Sequence, residues 1–218
     1  MRTITKASVG ILTATCAAVV GSASPALAAG SITHISVSGS GADAFWTNCP
    51  DLKTAPPPAG TVCTMTNLTT ATNLQTGPMP GPGGQQLQID ITTISVDASG
   101  NWNFVSDTNG VGQATLTVDQ QLRTASTSAT VVLTTCDATG NCVPAGTTTV
   151  NAHWTATGPL TKNTFASRTD LPGFHELDKG KWLDRTATAS ATVGGVDQGT
   201  STGADLFRDS SLTIQITH

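Results

Sequence analysis

Ionisable side chains crowd into one stretch of this chain. Lys162, Arg168, Asp170, His175, Glu176, Asp178, Lys179, Lys181, Asp184 and Arg185 put ten ionisable residues within 24, in a sequence with only 11% charged residues. Phe165, Phe174 and Trp182 are interleaved, and Leu171-Pro172-Gly173 marks a turn inside the stretch. The segment reads as a charged loop at 162–185 held by a rigid scaffold, where binding residues tend to be placed. The plainer reading is a solvated loop whose ion pairs each contribute about 0–1 kcal/mol.

Inside that stretch, His175, Glu176 and Asp178 have the side chains for acid–base work or metal ligation, and His153 is a candidate to join them. Adjacent residues on a strand point to opposite sides, so His175 and Glu176 converge only if they lie in a turn. The run His175-Glu176-Leu177-Asp178-Lys179 lacks the second His of a zinc-protease helix. Ser38-Gly39-Ser40-Gly41 lacks the first Gly of a nucleophile elbow. A glycosidase needs two convergent carboxylates, and thirteen of the fourteen acids are Asp, a turn and cap residue, so no pair stands out. These residues support binding better than catalysis, with a hydrolase as the rival reading. No cofactor motif is present. Asn67-Leu68-Thr69 is a formal glycosylation sequon.

Aromatic residues bear on carbohydrate binding. The chain has four Trp and no Tyr. Alternation puts Trp102 and Trp154 on inward faces and leaves Trp46 and Trp182 as possible exposed sugar platforms.

The elements that would position these residues are strands. Leu87, Ile89 and Ile91 alternate with polar neighbours, as do Ala129, Val131 and Leu133; Val150, Ala152, Trp154 and Ala156; Ala187, Ala189, Ala191 and Val193; and Leu212, Ile214 and Ile216. Period two places one face on a core and the other in water. The expected fold is all-β, an antiparallel two-sheet sandwich of immunoglobulin-like or jelly-roll-like type with about nine to eleven strands, a β-barrel being the alternative. Expected strands include 32–38, 42–47, 101–106, 113–122 and 163–168. The small-residue face of 187–191 requires a bulky partner, for which Trp102, Phe104 and Trp154 are candidates. Asp97-Ala98-Ser99-Gly100-Asn101 and Asp137-Ala138-Thr139-Gly140-Asn141 read as hairpin tips; one Asp per loop is too few for calcium.

Residues 1–28 read as a secretory signal peptide. Arg2 and Lys6 precede an apolar run from Val9 to Val20, and Ala26 and Ala28 supply the small cleavage-site residues. The remaining 29–218 is one domain. Removing Arg2 and Lys6 moves the net charge from −4 to about −6, which argues against nucleic acid or an anionic membrane surface as partner. Removing Cys16 leaves four Cys, an even set for an oxidising compartment. Cys136 and Cys142 flank a hairpin tip and pair, which leaves Cys49 with Cys63; in the chain-entropy picture the two loops give about 2.4 and 3 kcal/mol. Zinc is a poor fit, with no Cys-x2-Cys pair.

At Trp154-Thr155-Ala156-Thr157-Gly158-Pro159-Leu160, Pro172-Gly173-Phe174-His175 and Ala187-Thr188-Ala189-Ser190, the chain resembles a group of secreted bacterial β-rich proteins of the high-GC Gram-positive type. That group has no assigned activity, so the resemblance implies secretion and a β fold and carries over no catalytic residue. The sequence leads to a secreted, monomeric, non-catalytic protein that binds an extracellular glycan or protein or contributes to the cell exterior. A secreted protease inhibitor presenting the 162–185 loop or the disulfide-tipped hairpin is a further alternative.

Overall fold

The computed structural model describes residues 31–50, 58–76, 84–97 and 99–217. The expected signal peptide and the Gly-Pro run 77–83 lie outside these residues. The described chain is all-β and antiparallel. Its ten strands are β1 (Ser31–Thr47), β2 (Val62–Thr76), β3 (Gly84–Val96), β4 (Trp102–Val118), β5 (Thr124–Asp137), β6 (Cys142–Ala156), β7 (Thr161–Leu171), β8 (Phe174–Val193), β9 (Val196–Thr200) and β10 (Gly203–Thr217).

Two strands each join a pair of expected ones. The expected 32–38 and 42–47 merge into β1, and 101–106 and 113–122 merge into β4. The glycines that read as breaks mark close approach instead. A Cβ on Gly41 would land on the Phe207 ring and the Thr70 carbonyl oxygen, and one on Gly110 would land on the Val132 carbonyl oxygen. The hairpin tips form as expected. Asp97 Oδ1 accepts from the Ser99 and Asn101 amides, Asp137 Oδ1 accepts from the Thr139 and Asn141 amides, and Gly100 and Gly140 take positive φ (81° and 84°). Burial is negligible there, and these bonds hold both carboxyls below the usual range, led by the Asn101 amide for Asp97 and the Thr139 hydroxyl for Asp137. Both disulfides, Cys49–Cys63 and Cys136–Cys142, are present.

Pairing follows the order β10-β1-β2-β3-β4-β5-β6-β8-β7, with β9 against β8. The circuit also closes, because β10 pairs with β8 as well as with β1. Strand β8 makes closure possible by changing partner along its length. Residues 174–186 pair with β10, and 187–193 pair with β6. The two layers of the sandwich are therefore joined edge to edge, which removes most free strand edges.

Facing strands meet over a core built from small residues and a few large ones. Nine of the 18 members of the buried cluster are alanine. Trp154 fills the space they leave. In register it stands between Ala125 on β5 and Ala189 on β8, so two small neighbours flank one large ring. It is fully buried, and its indole N–H donates across the core to the Asp43 carbonyl of β1 at 2.7 Å. Of the three candidate fillers, Trp154 takes the role; Phe104 is exposed and Trp102 is only half-buried. Leu122, at φ 54° in the β4–β5 turn, is also fully buried.

One part of the molecule has no such core. Strand β7, residues 174–186 of β8 and residues 207–217 of β10 contain no buried residue. The segment expected as a charged loop at 162–185, with strands only at 163–168 and from 183 onward, is this β7–β8 hairpin, turning at Pro172-Gly173. Its polar composition hid regular pairing, because no face of it is buried to impose hydrophobic alternation. The expected core face of Leu212, Ile214 and Ile216 is likewise absent: Leu212 is exposed and the two Ile are half-buried. The β7–β8–β10–β1 strands thus extend as a sheet beyond the core. Strand β7 is its free edge, and Lys162 and Arg168 there discourage edge-to-edge pairing.

Candidate ligand-binding sheet

Registers without bulges fix which side chains share a face of the extended sheet, since directly opposed residues point the same way. Even-numbered β8 residues from Glu176 to Asp184 lie on one face, with odd-numbered residues of β7, β10 and β1. That face carries Glu176, Asp178, Asp184, Asp205, Asp209 and Asp43 and no Lys or Arg. The other face carries Lys162, Arg168, Lys179, Lys181, Arg185 and Arg208, with His34, His175 and a single acid, Asp170. Six of the chain's fourteen acids and six of its ten Lys and Arg residues are sorted onto opposite sides of one sheet.

The acidic face also holds a row of rings. Trp182 and Phe207 stack with centroids 5.7 Å apart and planes within 14°. Phe207 covers Gly41, and Phe165 covers Gly180 from the other side. Each glycine leaves room for a ring to lie over the neighbouring strand, so Phe165, Trp182 and Phe207 span β7, β8 and β10. Phe165 is 53% exposed and Trp182 36%. Around them, Gln215 Nε2 donates to Glu176 Oε2 at 2.8 Å and Ser167 Oγ to Asp178 Oδ2 at 3.4 Å.

Burial, joined at Asp43 and Asp205 by a neighbouring carboxylate, shifts protonation at the base of this face. Asp43 sits directly opposite Asp205. Burial, then the charge of Asp205, pushes its carboxyl up to about 6, although the Asp205 amide donates to it at 3.1 Å. Burial and then Asp184 raise Asp205, and burial raises Asp209. A carboxyl held above its unfolded value favours folding when protonated, and this contribution is lost as pH rises through about 6. Asp43→Asn keeps the acceptor for the Asp205 amide and removes the charge. It is expected to stabilise the protein by about 1–2 kcal/mol at pH 7.5, discounted for partial exposure, and the gain should vanish toward pH 4. Urea unfolding of both proteins across that range checks this; a pH-independent difference would contradict it.

The sequence-selected residues divide between the faces. Glu176, Asp178 and Trp182 share the acidic face. His175 lies on the basic face, where its Nδ1 is 2.6 Å from Asp170 Oδ1. Asp170 also meets Arg168 Nε at 2.7 Å, and the His175 contact, then Arg168, holds its carboxyl below the usual range. His153 joins none of them. It pairs with Ser190 of β8, fifteen residues from His175, roughly 50 Å of strand at 3.3 Å per residue. The His175–Glu176–Asp178–His153 constellation is therefore not assembled, and no group of three or more His, Cys, Asp or Glu among the described residues is placed to hold a metal.

Trp46 is buried and not an exposed platform. Its indole N–H donates to the Gly199 carbonyl at 3.1 Å, and it borders a cavity of about 550 Å³ shared with Asn48, Thr64, Asp197 and Gln198. Phe207, Asp205, Asp209 and Asp43 were not singled out by the sequence, since only strand pairing brings β1 and β10 beside β8. A carboxylate pair also escaped notice. Asp90 and Asp107 lie on neighbouring strands with Thr92 Oγ1 at 3.2 Å from each, and burial followed by Asp107 raises Asp90. The chain matches no known protein family, and no curated protein is similar to it in sequence.

Proposed function

We propose that this protein is a secreted, non-catalytic binding protein that holds a neutral or amine-bearing glycan on the acidic face of its extended sheet. The observation that carries this reading is the row of Phe165, Trp182 and Phe207, spread over glycines on a sheet face that nothing described covers. Flat rings offer stacking surface to the C–H faces of sugars, and carboxylates and amides beside them accept and donate hydrogen bonds to hydroxyls. Six acids with no cation repel anionic sugars and favour amino groups. Secretion is supported by the signal-like residues 1–28 and by the two disulfides, which persist in oxidising compartments.

A glycan array probed with wild type and Trp182→Ala tests the proposal. Wild type should bind one neutral or amino-sugar series. The variant should lose roughly 10- to 100-fold in affinity, as for a central aromatic anchor, with an unchanged unfolding transition. No glycan above background, or equal binding by the variant, would refute the proposal.

A further inference from the structure

We infer that the basic face of the same sheet is a second site, which takes a linear polyanion bearing phosphate, sulfate or carboxylate groups along its length. The chain has 14 acidic and 10 basic residues, so its cations have an excess of internal partners available. Yet among the described residues the only ion pairs are those of Asp170, with Arg168 and His175. Lys162, Lys179, Lys181, Arg185 and Arg208 share one face and have no carboxylate partner. Such a field attracts anions.

Arg208 is also held in place. Its guanidinium donates to the carbonyl oxygens of Gln120 (2.8 Å) and Asp119 (3.3 Å), neutral acceptors that orient the charge without cancelling it. The Asp119 carboxylate is turned to its own loop, accepting from the Arg123 amide. Beside Arg208 is a cavity of about 260 Å³ lined by Lys181, Ser38, Ser40, Ser210 and Thr72. Asp209 borders it too, but alternation sends its side chain to the acidic face. Two cations and four hydroxyls around a space of this size suit one oxyanion group with part of the unit that carries it.

The remaining cations make a track and not a single point. Lys179 and Lys181 are two residues apart on β8, about 7 Å. Lys162 and Arg208 flank Leu183 from the two neighbouring strands, about 10 Å apart. Arg168, which shares its charge with Asp170, lies roughly 20 Å further along β7. A chain with one charge per repeat meets several of these together. The acidic face of a second copy is a poorer mate, because burial raises the carboxyls of Asp43, Asp205 and Asp209 and so makes them less readily charged.

The test is titration of the full secreted chain with heparin, polyphosphate and polygalacturonate, separately, at 50 and 200 mM NaCl. At least one polymer should bind, and its affinity should fall roughly 50-fold over that range if about four charges are neutralised. The preferred polymer names the oxyanion. Lys179→Gln/Lys181→Gln should weaken binding at least tenfold and flatten the salt dependence, while Arg123→Gln changes neither; unchanged circular dichroism confirms folding. Trp182→Ala should bind the polymer as wild type does, so failure of this site is distinguishable from failure of the glycan site. Three results would overturn the inference: no polymer bound at 50 mM NaCl, equal binding by the double variant, or low-salt self-association abolished by the double variant without polymer uptake, which would assign the face to a second copy.

Discussion

Trp154→Ala is expected to destabilise the protein by about 4 kcal/mol, a large part of the 5–15 kcal/mol that holds a typical domain. Two effects add. The indole is fully buried between Ala125 and Ala189, and alanine neighbours have no long side chains with which to collapse into the vacated space. The Asp43 carbonyl also loses the N–H that satisfies it across the core. Trp154→Phe retains much of the volume but not the donor and should fall between the two. Urea unfolding of the three proteins measures this; a loss under 1 kcal/mol for the alanine variant would mean that the small-residue core repacks freely.

Gly41→Ala should cost about 3 kcal/mol, far more than one methyl group suggests. The added Cβ meets the Thr70 carbonyl oxygen, which is backbone paired into β2, and the Phe207 ring. The ring is the more mobile of the two, so Phe207 should tilt away from Trp182. Glycan affinity should then fall together with stability. Gly203→Ala is the matched control, since nothing lies within 4 Å of its would-be Cβ; it should change stability by less than about 0.5 kcal/mol. Equal effects at the two glycines would contradict the close approach at Gly41.

The strands of the core were legible because each has one wet and one dry face. Ala187, Ala189 and Ala191 read correctly, and so did Val150, Ala152 and Trp154, whose side chains are buried as alternation requires. The extended sheet lacks that asymmetry of burial, so hydrophobic alternation could not reveal it. Its signal was a different alternation. In Glu176-Leu177-Asp178-Lys179-Gly180-Lys181-Trp182-Leu183-Asp184-Arg185, acids fall on even positions and bases on odd ones. A charge pattern of period two is as much a strand signature as a hydrophobic one, and it went unused because the residues before 183 carry no hydrophobic alternation beside it. The partners of β8 were not legible at all. Phe207, Asp205 and Arg208 reach the two faces only through the long-range pairing of β10, and Leu122 enters the core from a turn of polar neighbours. Glycine was ambiguous for a physical reason: Gly41 and Gly110 serve close packing inside strands, whereas Gly100 and Gly140 serve turns.

A protein that sorts charge and aromatic surface onto an uncovered sheet, while keeping its core in a sealed sandwich, separates stability from recognition. Changes to exposed side chains of the sheet, such as Trp182, should therefore alter binding with little effect on unfolding, and changes at Trp154 the reverse. Hydrogen exchange with and without the best oligosaccharide from the array tests this claim most directly. Binding should slow exchange in β7, in residues 174–186 of β8 and in residues 205–217 of β10, and leave β5 and β6 unchanged. Slowed exchange confined to the far end, around Trp46, Thr64 and residues 196–200, would contradict it.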